Sequence, residues 1–285
     1  MQEAKSRNER YESVDVSERA DGKALLCVAN DRGVVRLMTY EEDTMRLCSE
    51  LKMECDSVVR SWQSAIFESK MNPNRLTCAN EEERVVSLFD ITKESRERDM
   101  RTSFWPTCVA WSEESKCVLL TAQDTLHVFD PRNKSKNGLI HQLRPFRGDN
   151  LFSVAQSGNT VMTAGRRGSV YVYDTRKFSL NYRWNAPVKY SVQSLLVSPR
   201  GDLTTYAVGT DYELMCSGAN VGHVKGKKKA AGTHRSKLRL NHSTGLRGAS
   251  RWLGASLIPS SKDEDILLCL CEKGEFYCVR GAENM

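Results

Sequence analysis

RVVSLFDITK at 84–93, TLHVFDPRNK at 125–134 and SVYVYDTRK at 169–177 repeat one pattern. In each, apolar and polar residues alternate as in a strand that buries one face, and the run closes on an aromatic residue followed by Asp. The three aspartates, Asp90, Asp130 and Asp174, lie 40 and 44 residues apart, the length of one four-stranded repeat. Each run follows another apolar stretch and a tight polar turn: RLTCAN then EEE, CVLLTA then QD, TVMTAG then RRG. That arrangement predicts a hairpin, used three times. Upstream, PTCVAWSEESK at 106–116 and SVQSLLVSPRGD at 191–202 supply a preceding strand ending in a Ser-led turn. The same order extends outward to KALLCVANDRGVVRLMTY at 23–40 and DILLCLCEKGEFYCVRG at 265–281, so the repeat covers nearly the whole chain.

These phrases resemble the WD40 family, whose repeat runs strand, turn, S/A-x-D-G turn, strand, then Trp-Asp. Ala29-Asn30-Asp31-Arg32-Gly33 stands at the place of that turn, and Phe89-Asp90, Phe129-Asp130 and Tyr173-Asp174 stand at the place of Trp-Asp. The family's Gly-His dipeptides are missing and Phe or Tyr replaces each Trp of the pair, as in a divergent member. The resemblance implies an all-β, WD40-like β-propeller filling residues 1–285 as a single domain. First strands are expected near residues 11, 57, 106, 150, 191 and 249. Six four-stranded blades are thus visible, or seven with one incomplete or missing. EFYCVRG abuts the end of the sequence and leaves no residues for an outer strand in the last blade. Three readings stay open: six blades with a ragged edge, strands contributed by a partner at an open edge, or a blade missing from this chain.

Composition narrows the class. The 285 residues are 40% hydrophobic and 27% charged, which indicates neither a fibrous nor a disordered chain. No apolar run reaches the roughly 18 residues that span a membrane, and MQEAKSRNERYE lacks the apolar stretch of a secretory signal. The expectation is a cytoplasmic or nuclear protein, or both, without a membrane partner. The ten cysteines lie in strand-like runs and read as reduced core residues. There is no C-x-x-C pair, and Cys269 and Cys271 share one strand face without nearby His, so no metal and no other cofactor is expected. Trp62, Trp111 and Trp252 sit inside first-strand patterns and read as core.

HVKGKKKAAGTHRSKLR at 223–239 interrupts the repeat with seven cations and no acid: Lys225, Lys227, Lys228, Lys229, Arg235, Lys237 and Arg239. It reads as an exposed insertion, disordered in the free protein. Either it is only a solvated loop, or it serves nuclear import or clamps nucleic-acid phosphates without reading sequence. The latter suggests a nuclear propeller in RNP or ribosome biogenesis.

Two further features bear on partners. Phe129-Asp130-Pro131-Arg132 and Tyr173-Asp174-Thr175-Arg176 resemble the Trp-Asp-x-Arg ending of propellers that act as substrate receptors of cullin-based ubiquitin ligases. That resemblance makes Arg132 and Arg176 candidate adaptor contacts, or else they are ordinary strand-end charges; the earlier Asp of the box is Arg167 in the second copy. The connections into first strands, SFWP at 103–106, RPFRG at 144–148 and APVKY at 186–190, place aromatics beside cations, the composition of interface hot spots. Phe104, Trp105, Phe146, Arg147, Lys189 and Tyr190 are therefore candidate partner-binding residues, with Trp105 and Phe146 alternatively packing between blades.

Catalysis finds no motif. The five histidines, His127, His141, His223, His234 and His242, are scattered, and no G-x-S-x-G, H-E-x-x-H, P-loop or Rossmann glycine pattern is present. Acid clusters at Glu81–Glu83 and Asp263–Asp265 are expected in solvated turns. The sequence thus predicts a non-catalytic scaffold that recruits other proteins into a multisubunit complex through its loops.

Overall fold

The computed structural model describes residues 10–53, 63–71, 73–198, 200, 203–220, 239–259 and 264–282. Among these the structure is all strand and turn, apart from one short 3-10 turn at Ser135–Gly138. The chain falls into two compact units, Met1–Gln142 and Leu143–Met285.

The N-terminal unit holds three antiparallel sheets whose strands follow chain order. The first is β1 (Tyr11–Glu18), β2 (Ala24–Asn30), β3 (Val34–Glu41) and β4 (Thr44–Lys52). The second is β5 (Gln63–Phe67), β6 (Arg75–Asn80), β7 (Val85–Asp90) and β8 (Ser95–Arg101). The third is β9 (Pro106–Ser112), β10 (Cys117–Ala122), β11 (Thr125–Phe129) and β12 (Leu139–Leu143). In the C-terminal unit the fourth sheet is β13 (Leu151–Ser157), β14 (Thr160–Gly165), β15 (Val170–Asp174) and β16 (Ser179–Trp184). The fifth is β17 (Val192–Val197), β18 (Thr205–Gly209), β19 (Glu213–Asn220) and β20 (Arg239–Arg247). The sixth has three strands among the described residues, β21 (Trp252–Pro259), β22 (Asp265–Cys271) and β23 (Phe276–Arg280). Five first strands begin within a few residues of their expected positions. The expected start near residue 57 lies outside the described residues, and the second sheet is seen from Gln63.

The pattern of burial explains the composition of each strand. Second and third strands such as β10 (CVLLTA) and β11 (TLHVF) are buried along their whole length. In the second sheet, packed between the first and the third, the middle strands β6 and β7 have apolar neighbours on both sides and their residues must be apolar or small. Fourth strands form the outer edge and are polar: SRERDMR in β8 is mostly exposed. In the N-terminal unit Leu76 and Cys78 pack with Leu25, Cys27 and Ala65, and Val86 and Leu88 pack with Val118 and Phe129. In the C-terminal unit Val172 packs with Val192 and Ala207, and Tyr206 packs with Trp252 and Leu267.

The aromatic-Asp pairs divide their labour. Phe89, Phe129 and Tyr173 are buried. Asp90, Asp130 and Asp174 cap the turn that follows, each accepting a backbone N–H, from Lys93, Arg132 and Arg176 respectively. A β-bulge recurs near the start of β1, β9, β13, β17 and β21. An extra residue there bends the entering chain.

Three sequence expectations need correction. Cys48 and Cys278 are exposed, because they lie on the edge strands β4 and β23, whereas Cys27, Cys78, Cys117, Cys216, Cys269 and Cys271 are core thiols. Asp265 is not a solvated turn residue. It is buried and accepts hydrogen bonds from the Ser198 hydroxyl at 2.9 Å and the Tyr206 hydroxyl at 2.8 Å. Trp111 is only half-buried, on the rim of the third sheet's core. Trp252 is core as expected, and Trp62 lies outside the described residues.

Candidate functional site

In a four-stranded meander the connection into the first strand and the turn between the second and third strands lie at the same end. In the C-terminal unit that end gathers two of the three loops singled out by their aromatic and basic residues, together with the turn between β14 and β15. The connection into β13 makes a turn closed by Asp149 N–H on the Phe146 carbonyl at 3.3 Å, with Gly148 at φ +77° in the third position, as a type II turn requires. Phe146 and Arg147 stand exposed on it.

Asp149 anchors this loop. It is fully buried, and its two carboxylate oxygens accept from the Arg167 backbone N–H at 2.9 Å and the Tyr171 hydroxyl at 2.7 Å. Burial, and next the hydrogen bond to Asp149, push the Tyr171 phenol up to about 12, so it stays a donor throughout the physiological range. One buried carboxylate thereby fastens the turn Gly165–Gly168 to the loop before β13.

Arg166 and Arg167 occupy the tip of that turn and are exposed. The Arg167 guanidinium lies over the Phe146 ring at 3.9 Å from its centroid. Arg183, from β16, reaches the same ring at 5.9 Å and the Tyr171 ring at 5.4 Å, and donates to the Ser169 hydroxyl at 2.9 Å.

The third loop, entering β17, is pressed against the same turn. A Cβ on Gly168 would fall 2.3 Å from the Tyr190 carbonyl oxygen and 2.9 Å from that of Val188, so only glycine allows the approach. The Ser191 hydroxyl donates to the Arg166 carbonyl at 3.1 Å. Lys189 and Tyr190 are exposed here, with the Lys189 ammonium 5.1 Å from the Tyr190 ring centroid. Glu213 faces the loop and accepts from the Lys189 backbone N–H at 2.9 Å. Phe146, Arg147, Lys189 and Tyr190 are therefore brought onto one surface. Arg166, Arg167 and Arg183 join them. Sequence reading took RRG only as a tight turn, although two adjacent cations at a hairpin tip were the available signal.

Phe104 and Trp105 belong to the N-terminal unit, in the connection into β9. The Thr102 hydroxyl lies within hydrogen-bonding distance of the Phe104 and Arg84 carbonyls, and the Arg84 guanidinium sits 5.3 Å from the Trp105 ring centroid. Trp105 is 47% exposed and Phe146 38% exposed, so each presents part of its ring to solvent. The matching turn of the second sheet carries Glu81, Glu82 and Glu83, an acidic contrast to the Arg166–Arg167 turn.

Arg132 and Arg176 sit at the opposite strand ends of their sheets. Each folds back on its own aspartate, Arg132 on Asp130 at 2.9 and 3.0 Å and Arg176 on Asp174 at 3.0 and 2.7 Å, while staying open to solvent. The guanidinium in each pair holds the carboxyl below the usual carboxylate range. Arg132 also borders a groove of about 340 Å³ with Arg75, Trp111 and Lys116. Of the basic insertion, Lys225, Lys227, Lys228, Lys229, Arg235 and Lys237 lie outside the described residues. Arg239 begins β20, its backbone paired with Asn220, so the insertion lies between the third and fourth strands of the fifth sheet.

Among the described residues no group of three or more His, Cys, Asp or Glu could hold a metal ion, and no helix is long and apolar enough to cross a membrane.

No protein-family model matches the sequence, and a search of curated proteins returns no match. Solved structures do resemble it. Raptor from Chaetomium thermophilum superposes with a TM-score of 0.75 at 14% identity, over 96% of this chain. A chain of the mitotic checkpoint complex superposes with a TM-score of 0.70 at 15% identity, over 95% of this chain. The chain spans 23% of the Raptor chain and 77% of the second. With six antiparallel meander sheets and a likeness running through nearly its full length, the chain has the WD40-like β-propeller fold.

Proposed function

We propose that this chain is a non-catalytic interaction platform that recruits partner proteins into a larger complex through its loops. The observation that carries the reading is the surface of the C-terminal unit, where Phe146, Arg147, Lys189 and Tyr190, separated in sequence, are held together by the buried Asp149 and the close approach at Gly168. Rigid aromatic and arginine side chains on fixed loops are what binding hot spots consist of. Occurrence of the fold in a mitotic checkpoint complex accords with such a role.

Affinity purification with the full-length chain, a Phe146→Ala/Tyr190→Ala variant and a Phe104→Ala/Trp105→Ala variant tests the reading, each variant first checked for folding by circular dichroism. The expected result is a defined set of proteins that the folded Phe146→Ala/Tyr190→Ala chain no longer holds. A set unchanged in both variants would remove these loops as the binding surface.

A further inference from the structure

We infer that the Phe146–Arg167 surface of the C-terminal unit receives an acidic segment of a partner protein, its carboxylates pairing with guanidiniums fixed on the loops. This deepens the platform reading and rests on it.

Charge comes first. Arg147, Arg166, Arg167, Arg183 and Lys189 converge on one loop cluster. Among the described residues no carboxylate forms an ion pair with Arg147, Arg166 or Arg167. Three acids border the cluster: Asp149 is buried with both oxygens accepting, Glu213 accepts from the Lys189 backbone N–H and attracts its ammonium, and Asp211 accepts from the Glu213 backbone N–H. Five cations against three acids leave the surface with an excess of positive charge.

Preorganisation comes second. Arg167 is held by its stacking on Phe146 and by its backbone bond to Asp149, and Arg183 by Ser169 and two rings. A guanidinium fixed in this way loses little side-chain freedom on pairing, and its planar fork matches a carboxylate with two parallel hydrogen bonds.

The occupied rings argue for a peptide over a nucleic acid. Single-stranded nucleic acid is held by stacking bases on free aromatic faces. Here Phe146 carries Arg167 and Arg183 at its ring, and Tyr190 carries Lys189. The aromatics serve to position cations, which are left to meet anionic side chains.

The test is fluorescence anisotropy with the full-length chain and a short fluorescein-labelled oligoglutamate peptide, with labelled oligothymidylate as the competing class. The peptide is expected to bind and to weaken as salt is raised. Arg166→Glu/Arg167→Glu should weaken it at least about ten-fold, since truncated or reversed interfacial charges cost that much or more. Lys177→Glu/Arg280→Glu, the same change in net charge at exposed residues of the opposite strand ends of this unit, should leave it within about two-fold, because charges farther apart than a Debye length are screened. Arg166→Gln/Arg167→Gln, which adds no new charge, should weaken it in the same direction and serves if the Glu pair misfolds.

Unchanged affinity in the Arg166/Arg167 variants, or equal loss in the Lys177/Arg280 control, would overturn the inference. So would oligothymidylate binding more tightly than the peptide with the same arginine dependence. If the peptide fails to bind while the captured protein set still depends on Phe146 and Tyr190, the acidic-segment inference falls and the platform reading stands.

Discussion

Asp149 and Tyr171 hold the exposed loops of the C-terminal unit from beneath. A buried carboxylate is tolerable only with its oxygens paired, and Tyr171 supplies one of the two donors. Tyr171→Phe is expected to lower the unfolding free energy by about 1–3 kcal/mol, the cost of leaving a buried acceptor unsatisfied, as read from urea denaturation. His127 makes a second prediction at this scale. It is 2% exposed, and both its ring nitrogens lack a hydrogen-bond partner among the described residues. Burial lowers its pKa from 6.5 to about 4, so the folded chain resists a proton that the unfolded chain takes up. Its contribution is therefore fully present above about pH 6.5 and is lost as pH falls towards 4, amounting to about 2 kcal/mol near pH 5. His127→Leu should flatten that slope in denaturation curves taken at neutral and acid pH; an unchanged slope would assign the acid sensitivity elsewhere. The presence of a strand histidine was plain in the sequence. Its isolation was not, because it depends on which side chains of neighbouring strands face it.

Within the elements, the hairpin turn before β15 shows how little room the surface leaves. Gly168 combines φ +67° with a carbonyl 2.3 Å from where a Cβ would stand. Gly168→Ala is expected to cost about 1–3 kcal/mol through backbone strain and displacement, and to weaken oligoglutamate binding by moving Lys189 and Tyr190 away from Arg166. Gly254→Ala is the control: nothing lies within 4 Å of its Cβ position, so stability should change by less than about 0.5 kcal/mol. Thermal melts and anisotropy of both variants check this. The strands themselves were legible, since alternation in VVSLFD, TLHVF and VYVYD and the Asp that caps each following turn are local properties. Edge character was legible less directly. The charge of SRERDMR is what an outer strand needs, but Cys48 and Cys278 show that an apolar-looking run can also lie on an edge, where one face meets no neighbouring sheet.

At the scale of the molecule, the basic insertion enters and leaves the fifth sheet through one backbone pair, Asn220 with Arg239. Replacing residues 221–238 by Asn-Gly, the favoured two-residue hairpin turn, should leave the melting temperature unchanged or raise it. Closing a shorter loop costs less entropy, by up to about 2 kcal/mol for this change in length. Oligoglutamate binding of this variant should still fall with Arg166→Glu/Arg167→Glu, because Asn220 and Arg239 lie at the strand ends opposite the Phe146–Arg167 surface. A lowered melting temperature would mean that the segment packs on the fold.

The sequence by itself determined the repeat, the order of strands within each sheet, and five of the six places where a sheet begins. All of these follow from alternation and turn residues, whose information is short-range. Only the tertiary structure decided which loops share a surface, that Asp265 is buried, and that Arg166, Arg167 and Arg183 belong beside Phe146. Those outcomes depend on residues from different strands or sheets meeting across the fold, and no local pattern in the chain encodes a meeting between residues so far apart in sequence.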